Sequence, residues 1–88
     1  MTGLTLRKAV EADLPALLEL YGQPSFNNGH VVSLEEAQAI FARFAAYPDY
    51  ATYLAERDGR VVGTFALMVI DNIAHWGTPT ALVENVVV

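Results

Sequence analysis

Glu84 lies in the run ALVENVVV, residues 81–88, where nearly every neighbour is apolar. A carboxylate in such company is costly unless it has a partner or a task. Burial would lift its pKa towards the range useful to a general base. Period-2 alternation puts Glu84 on the face of Leu82, Val86 and Val88 and turns Asn85 to the opposite face. The plainer alternative is that Glu84 meets solvent at a sheet edge or pairs with an arginine. Asn85 carries an amide that can orient an amine or simply meet water. Two loops hold the other candidates: QPSFNNGHVV, residues 23–32, with Asn27, Asn28 and His30, and NIAHWGTPT, residues 72–80, with His75 and Trp76. Trp76 reads as a lid on a small core.

Several chemistries are excluded by composition. The chain has no cysteine, so it offers no disulfide, thiolate nucleophile or cysteine-bound metal. Two histidines cannot build a three-histidine metal site, and no metal is expected. The six glycines, at 3, 22, 29, 59, 63 and 77, are nowhere spaced as a phosphate cradle. Five basic and ten acidic residues leave a net charge of −5. With no basic stripe, nucleic acid and anionic membrane surfaces are poor partners, whereas a cationic substrate such as an amine is mildly favoured. The longest apolar run, residues 65–70, is far short of the ~20 residues of a membrane helix. The opening MTGLTLRKAVEAD lacks the apolar stretch of a secretory signal. A thiol-free, leaderless chain suits the cytoplasm.

The elements that must position these residues follow from periodicity. At 88 residues and 53% apolar, the chain is one domain, residues 1–88, with one modest core. Residues 4–9 alternate as a short strand, with Leu4 and Leu6 inward and Thr5 and Arg7 outward. Asp13 is placed to cap a helix whose first turn holds Pro15. Leu14, Leu17, Leu18 and Tyr21 form its apolar face, and Gly22 stops it. Ser33 and Glu36 have capping-box spacing for a second helix reaching about Ala46, with Ala37, Phe41 and Phe44 on its apolar side. Tyr47, Tyr50 and Tyr53 fall near the junction that follows. Residues 50–57 and 61–71 are strands joined by Asp58-Gly59, a strong hairpin signal. The second of these is apolar on both faces and should be central and covered on each side. Residues 81–88 read as a further buried strand. The order β-α-α-β-β-β describes an α+β domain: a mainly antiparallel sheet, two helices, and an open C-terminal strand. Three apolar β-branched residues at the end imply that more structure is supplied there, by the same chain or another.

This order and these residues resemble the N-terminal half of a GNAT acetyltransferase domain. LTLRKAVEADLPALLELY looks like the family's opening strand and first helix. LAERDGRVVG, residues 54–63, looks like its second and third strands around the D-G turn. ALVENVVV looks like its fourth strand, which in the family runs on into a glycine-rich segment that holds the pyrophosphate of acetyl-CoA. The resemblance implies acetyl transfer from acetyl-CoA to a primary amine on a small molecule or peptide, in a domain whose C-terminal half is absent here. It implies Glu84 as the base, the backbone of Val86, Val87 and Val88 against the pantetheine arm, and Asn28, His30 and Asn85 near the acceptor. The pyrophosphate loop has no counterpart in these residues, so the chain alone should bind the cosubstrate poorly. A second reading makes the chain a non-catalytic module that dimerises or takes a partner through residues 81–88. A third, an unrelated small α/β domain, would be favoured if the last three strands formed no consecutive antiparallel meander.

Overall fold

The computed structural model describes residues 3–88. Strand β1, Thr5–Lys8, leads through a 3-10 turn at Glu11–Asp13 into helix α1, Leu14–Tyr21. A loop with a 3-10 turn at Asn27–Gly29 precedes helix α2, Leu34–Arg43, which tightens into a last 3-10 turn at Phe44–Ala46. Strands β2, Tyr50–Arg57, β3, Arg60–Ile70, and β4, Thr80–Val87, complete the chain. The sheet order is β1-β2-β3-β4, antiparallel throughout. The last three strands form a consecutive antiparallel meander, so the observation that would have favoured the unrelated-domain reading is not made.

Local signals explain most boundaries. Ser33 Oγ accepts from the Glu36 amide at 3.1 Å. Glu36 Oε1 accepts from the Ser33 amide at 3.2 Å, so the capping box forms reciprocally. Asp58 and Gly59 both take positive φ, 54° and 75°. That is the geometry of a two-residue turn that matches strand twist. Asp13 stands before α1 but does not cap it by its side chain. Its carboxylate reaches back to accept from the Val10 amide at 2.7 Å and grips Arg7.

The helices cover one face of the sheet. Leu14 and Leu17 of α1 and Ala37 of α2 pack on Leu54 of β2, which is wholly buried. Thr52, Thr64, Ala66 and Val87 are buried on that same face. The opposite face carries Leu6, Tyr53, Phe65, Leu67, Val69 and Val83, with no helix over it among the described residues. Tyr53 and Phe65 stack there, ring centroids 5.3 Å apart.

Three expectations are corrected by this layering. Leu4 and Leu6 are exposed, while Arg7 turns to the helix side, because the Asp13 and Glu56 carboxylates wait there. Strand β3 is central but covered on one face only. Strand β4 is an edge strand, exposed along its length except at Val87. No helix among the described residues is long and apolar enough to cross a membrane.

Candidate functional site

Strand β4 does not run straight. Glu84 pairs with Ala66 and Val87 with Thr64, so three steps along β4 match two along β3. The extra residue is taken up at Asn85, which adopts a left-handed conformation with φ 55°. This is a β-bulge, and asparagine tolerates the left-handed region better than most residues. The bulge changes which side chains share a face. Glu84 and Leu82 stay on the helix side by register, but the residue that follows them inward is Val87, not Val86. The strict period-2 reading of Glu84 with Val86 and Val88 is therefore corrected. Glu84 is also exposed, so the burial expected for it is absent.

Beyond the bulge, β4 ends close to β3. A Cβ on Gly63 would stand 3.1 Å from the Val87 carbonyl oxygen, so glycine permits that approach. The Val88 carbonyl accepts from Gln23 Nε2 at 3.3 Å, tying the strand end to the loop after α1. The other edge of β4 has no neighbouring strand among the described residues. Its backbone donors and acceptors are available to a ligand.

On the helix side a cavity of about 210 Å³ opens between α1, α2 and the sheet. Tyr21, Phe41, Phe44, Tyr50, Thr52 and Asn85 are among its lining residues. The bulge thus brings Asn85 to the helix side, where simple alternation would turn it away. Burial pushes the Tyr21 hydroxyl above the ordinary tyrosine range, against a smaller downward pull from a hydrogen bond with Thr64. Thr64 itself donates to the Tyr53 carbonyl at 2.7 Å. Spacing alone puts Tyr21 in the core face of α1 and marks neither it nor Thr52 as a site residue. The shared parity of Thr52 and Leu54 along β2 is the one signal the sequence offers for Thr52.

The remaining candidates lie apart from this cavity. Asn28 and His30 are placed in the loop between the helices, with Asn28 exposed at φ 57°. His75 and Trp76 form an exposed turn before β4. Trp76 is fully exposed, so it is no lid: its left-handed turn at φ 62° carries it outside the core. Tyr47 and Tyr50 gather with Phe44 at the helix-to-strand junction, Tyr50 edge-on to both neighbours, whereas Tyr53 stacks on Phe65.

No protein-family model matches the chain, and no curated protein matches it in sequence. Solved structures do. A protein of Agrobacterium tumefaciens assigned to the acetyltransferases shares 37% identity over 94% of this chain and 57% of its own length, with a TM-score of 0.80. An acetyltransferase of Trypanosoma brucei is 28% identical over 98% of this chain and 60% of its own, with a TM-score of 0.71. A protein of Clostridium acetobutylicum assigned to the acetyltransferases and solved with acetyl-CoA shares the fold at 18% identity and a TM-score of 0.60, over 96% of this chain and 58% of its own. The chain has the fold of the N-terminal half of a GNAT acetyltransferase domain. It spans less than two thirds of the length of each of these structures. Within that fold, the bulged edge strand meets the helix-side cavity at Asn85.

Proposed function

We propose that this chain carries the acceptor side and the thioester-facing strand of an acetyl-CoA-dependent N-acetyltransferase. One observation carries the reading: the bulge at Asn85 brings its amide to a helix-side cavity, next in sequence to the Glu84 carboxylate, while the same strand keeps a free backbone edge. The described residues fit one part of the cosubstrate and not another. The outward-facing backbone groups among residues 85–88 suit the amide-rich pantetheine arm, as a strand edge suits any extended amide chain. No glycine-rich loop at a helix N-terminus is available for the pyrophosphate among these residues.

When bound, acetyl-CoA supplies an electrophilic thioester carbonyl. An ammonium acceptor must lose a proton before its nitrogen can attack. Glu84 is the proton acceptor in this reading, working directly or through one water. A backbone N–H near the bulge would donate to the oxygen that gains charge, and as the C–N bond forms the C–S bond would break, coenzyme A leaving as its thiol with the proton taken from the amine. Asn85 and Thr52 orient the acceptor in the cavity, and the Tyr21 hydroxyl stays protonated as a donor. The acceptor is a small-molecule or peptide amine, with Asn28 and His30 in the loop that borders its approach.

The test is acetyl transfer to a panel of primary amines at millimolar acetyl-CoA, followed by mass spectrometry. Protein-dependent product is expected, with Glu84→Gln slower by about 10²-fold, the lower end for lost general-base catalysis. Equal rates for the two proteins, or no product above the protein-free control, would refute it.

The exposed edge of β4 supports a second reading, in which residues 81–88 pair with a second copy of the chain or with a partner strand. A concentration-independent monomer in light scattering would exclude the homodimer.

A further inference from the structure

A second cavity, of about 690 Å³, opens where the turn after α2 meets the start of β2 and the end of β3. Its size is that of a small-molecule site. Three aromatic residues, Phe44, Tyr47 and Tyr50, contribute to its wall, and Met68 and Ile70 add apolar surface. Two carboxylates, Asp49 and Asp71, complete the lining, and no basic residue joins them. Among the described residues, the ion pairs are those of Arg7 with Asp13 and Glu56, so neither carboxylate has a cationic partner there. Lys8 is the basic residue to weigh against them: it shares an adjoining cavity with Asp49, Tyr47 and Tyr50. Asp71 does not line that cavity and is the carboxylate farther removed from Lys8's influence.

We infer that this groove binds an organic cation, an ammonium group carried on an apolar body. The argument is charge complementarity over an aromatic wall. Aromatic faces attract cations and accept apolar groups equally well, so they hold both parts of such a molecule. Two unpaired carboxylates select for positive charge and penalise anions. The net charge of −5 raises the local concentration of any cation. A neutral apolar ligand would leave both carboxylates without a role, and an anion would face them directly. The groove adjoins the cavity at Asn85, with Phe44 and Tyr50 in the wall of both, but its carboxylates lie at the far end. Asp71 lies five residues along the chain from Ala66, the partner of Glu84. At the rise of an extended strand that is roughly 16 Å. The inference concerns binding at the Asp49 and Asp71 end, and a binding measurement tests it whether or not acetyl transfer occurs.

Titration of benzyltrimethylammonium into the chain, followed by backbone amide shifts, tests it. Benzyl alcohol and benzenesulfonate serve as the neutral and anionic counterparts. Saturable binding is expected to move the amides of Asp49, Tyr50, Met68 and Asp71, with each counterpart at least about fivefold weaker. Asp49→Asn with Asp71→Asn should weaken the cation by about tenfold while leaving the spectrum folded, since asparagine accepts the φ of 54° at position 49. Lys8→Gln should tighten it. Benzyl alcohol binding as well as the cation, shifts centred elsewhere, or a double variant that binds unchanged would each overturn the inference.

Discussion

Arg7 shows how one side chain can decide a local fold. Its guanidinium meets Asp13 through both terminal nitrogens, each at 2.8 Å, and Glu56 through Nε at 3.0 Å. A planar fork against two carboxylates is the geometry in which arginine outperforms lysine. The pairing drives the Arg7 pKa further above its already high range and holds the Asp13 carboxyl below the usual carboxylate range. The pH consequence follows from the Asp13 shift. Its folded pKa is depressed, so its contribution to stability is present above the unfolded value of about 3.9 and is lost as pH falls through the folded value. Asp13→Asn should therefore lower the melting temperature near neutrality, and the gap from wild type should close below about pH 4. A gap that stays constant with pH would show that the carboxylate charge is not what matters. Alternation places Arg7 outward because period 2 identifies two faces without saying which is covered. Asp13, six residues on, is the visible partner, but a cap is the commoner role for such an aspartate, and that role conceals it.

Elements are more legible than orientations. The capping box at Ser33, the Asp58-Gly59 turn and the Leu14, Leu17, Leu18 and Tyr21 stripe rest on local chemistry, and each forms as the residues dictate. The bulge in β4 is hidden, because nothing in ALVENVVV breaks the alternation by itself. Asparagine at 85 is the available trace, being one of the few residues at ease with positive φ. That role can be measured. Asn85→Gly should keep the bulge and nearly all stability, whereas Asn85→Val should cost about 1–2 kcal/mol in chemical denaturation, the usual penalty for a side chain forced left-handed. If the valine variant is as stable as the glycine variant, the bulge does not depend on this residue. The exposed state of β4 is hidden for a different reason. A run of Val and Leu signals burial, and burial depends on what else packs against the sheet.

At the scale of the molecule, one sheet face is packed by α1 and α2 and the other is bare of helix among the described residues. The solved acetyltransferases share this half and extend beyond it, with the chain covering 57% to 60% of their lengths. The fold, and the family it resembles, can be read from the strand and helix order together with the D-G hairpin. The site can be read only as a place on the last strand. Its cavity-side members, Tyr21 and Thr52, depend on distances between elements that sequence spacing does not carry. The proposed function divides the cosubstrate, with the pantetheine arm along β4 and no site for the pyrophosphate among the described residues. Parallel titrations of acetyl-CoA and S-acetylpantetheine, read at the amides of residues 83–88, test that claim most directly. The account predicts weak binding of both, with affinities within about threefold because the nucleotide end adds little without a built anion site. Acetyl-CoA binding more than about tenfold tighter, or shifts that avoid β4 altogether, would contradict it.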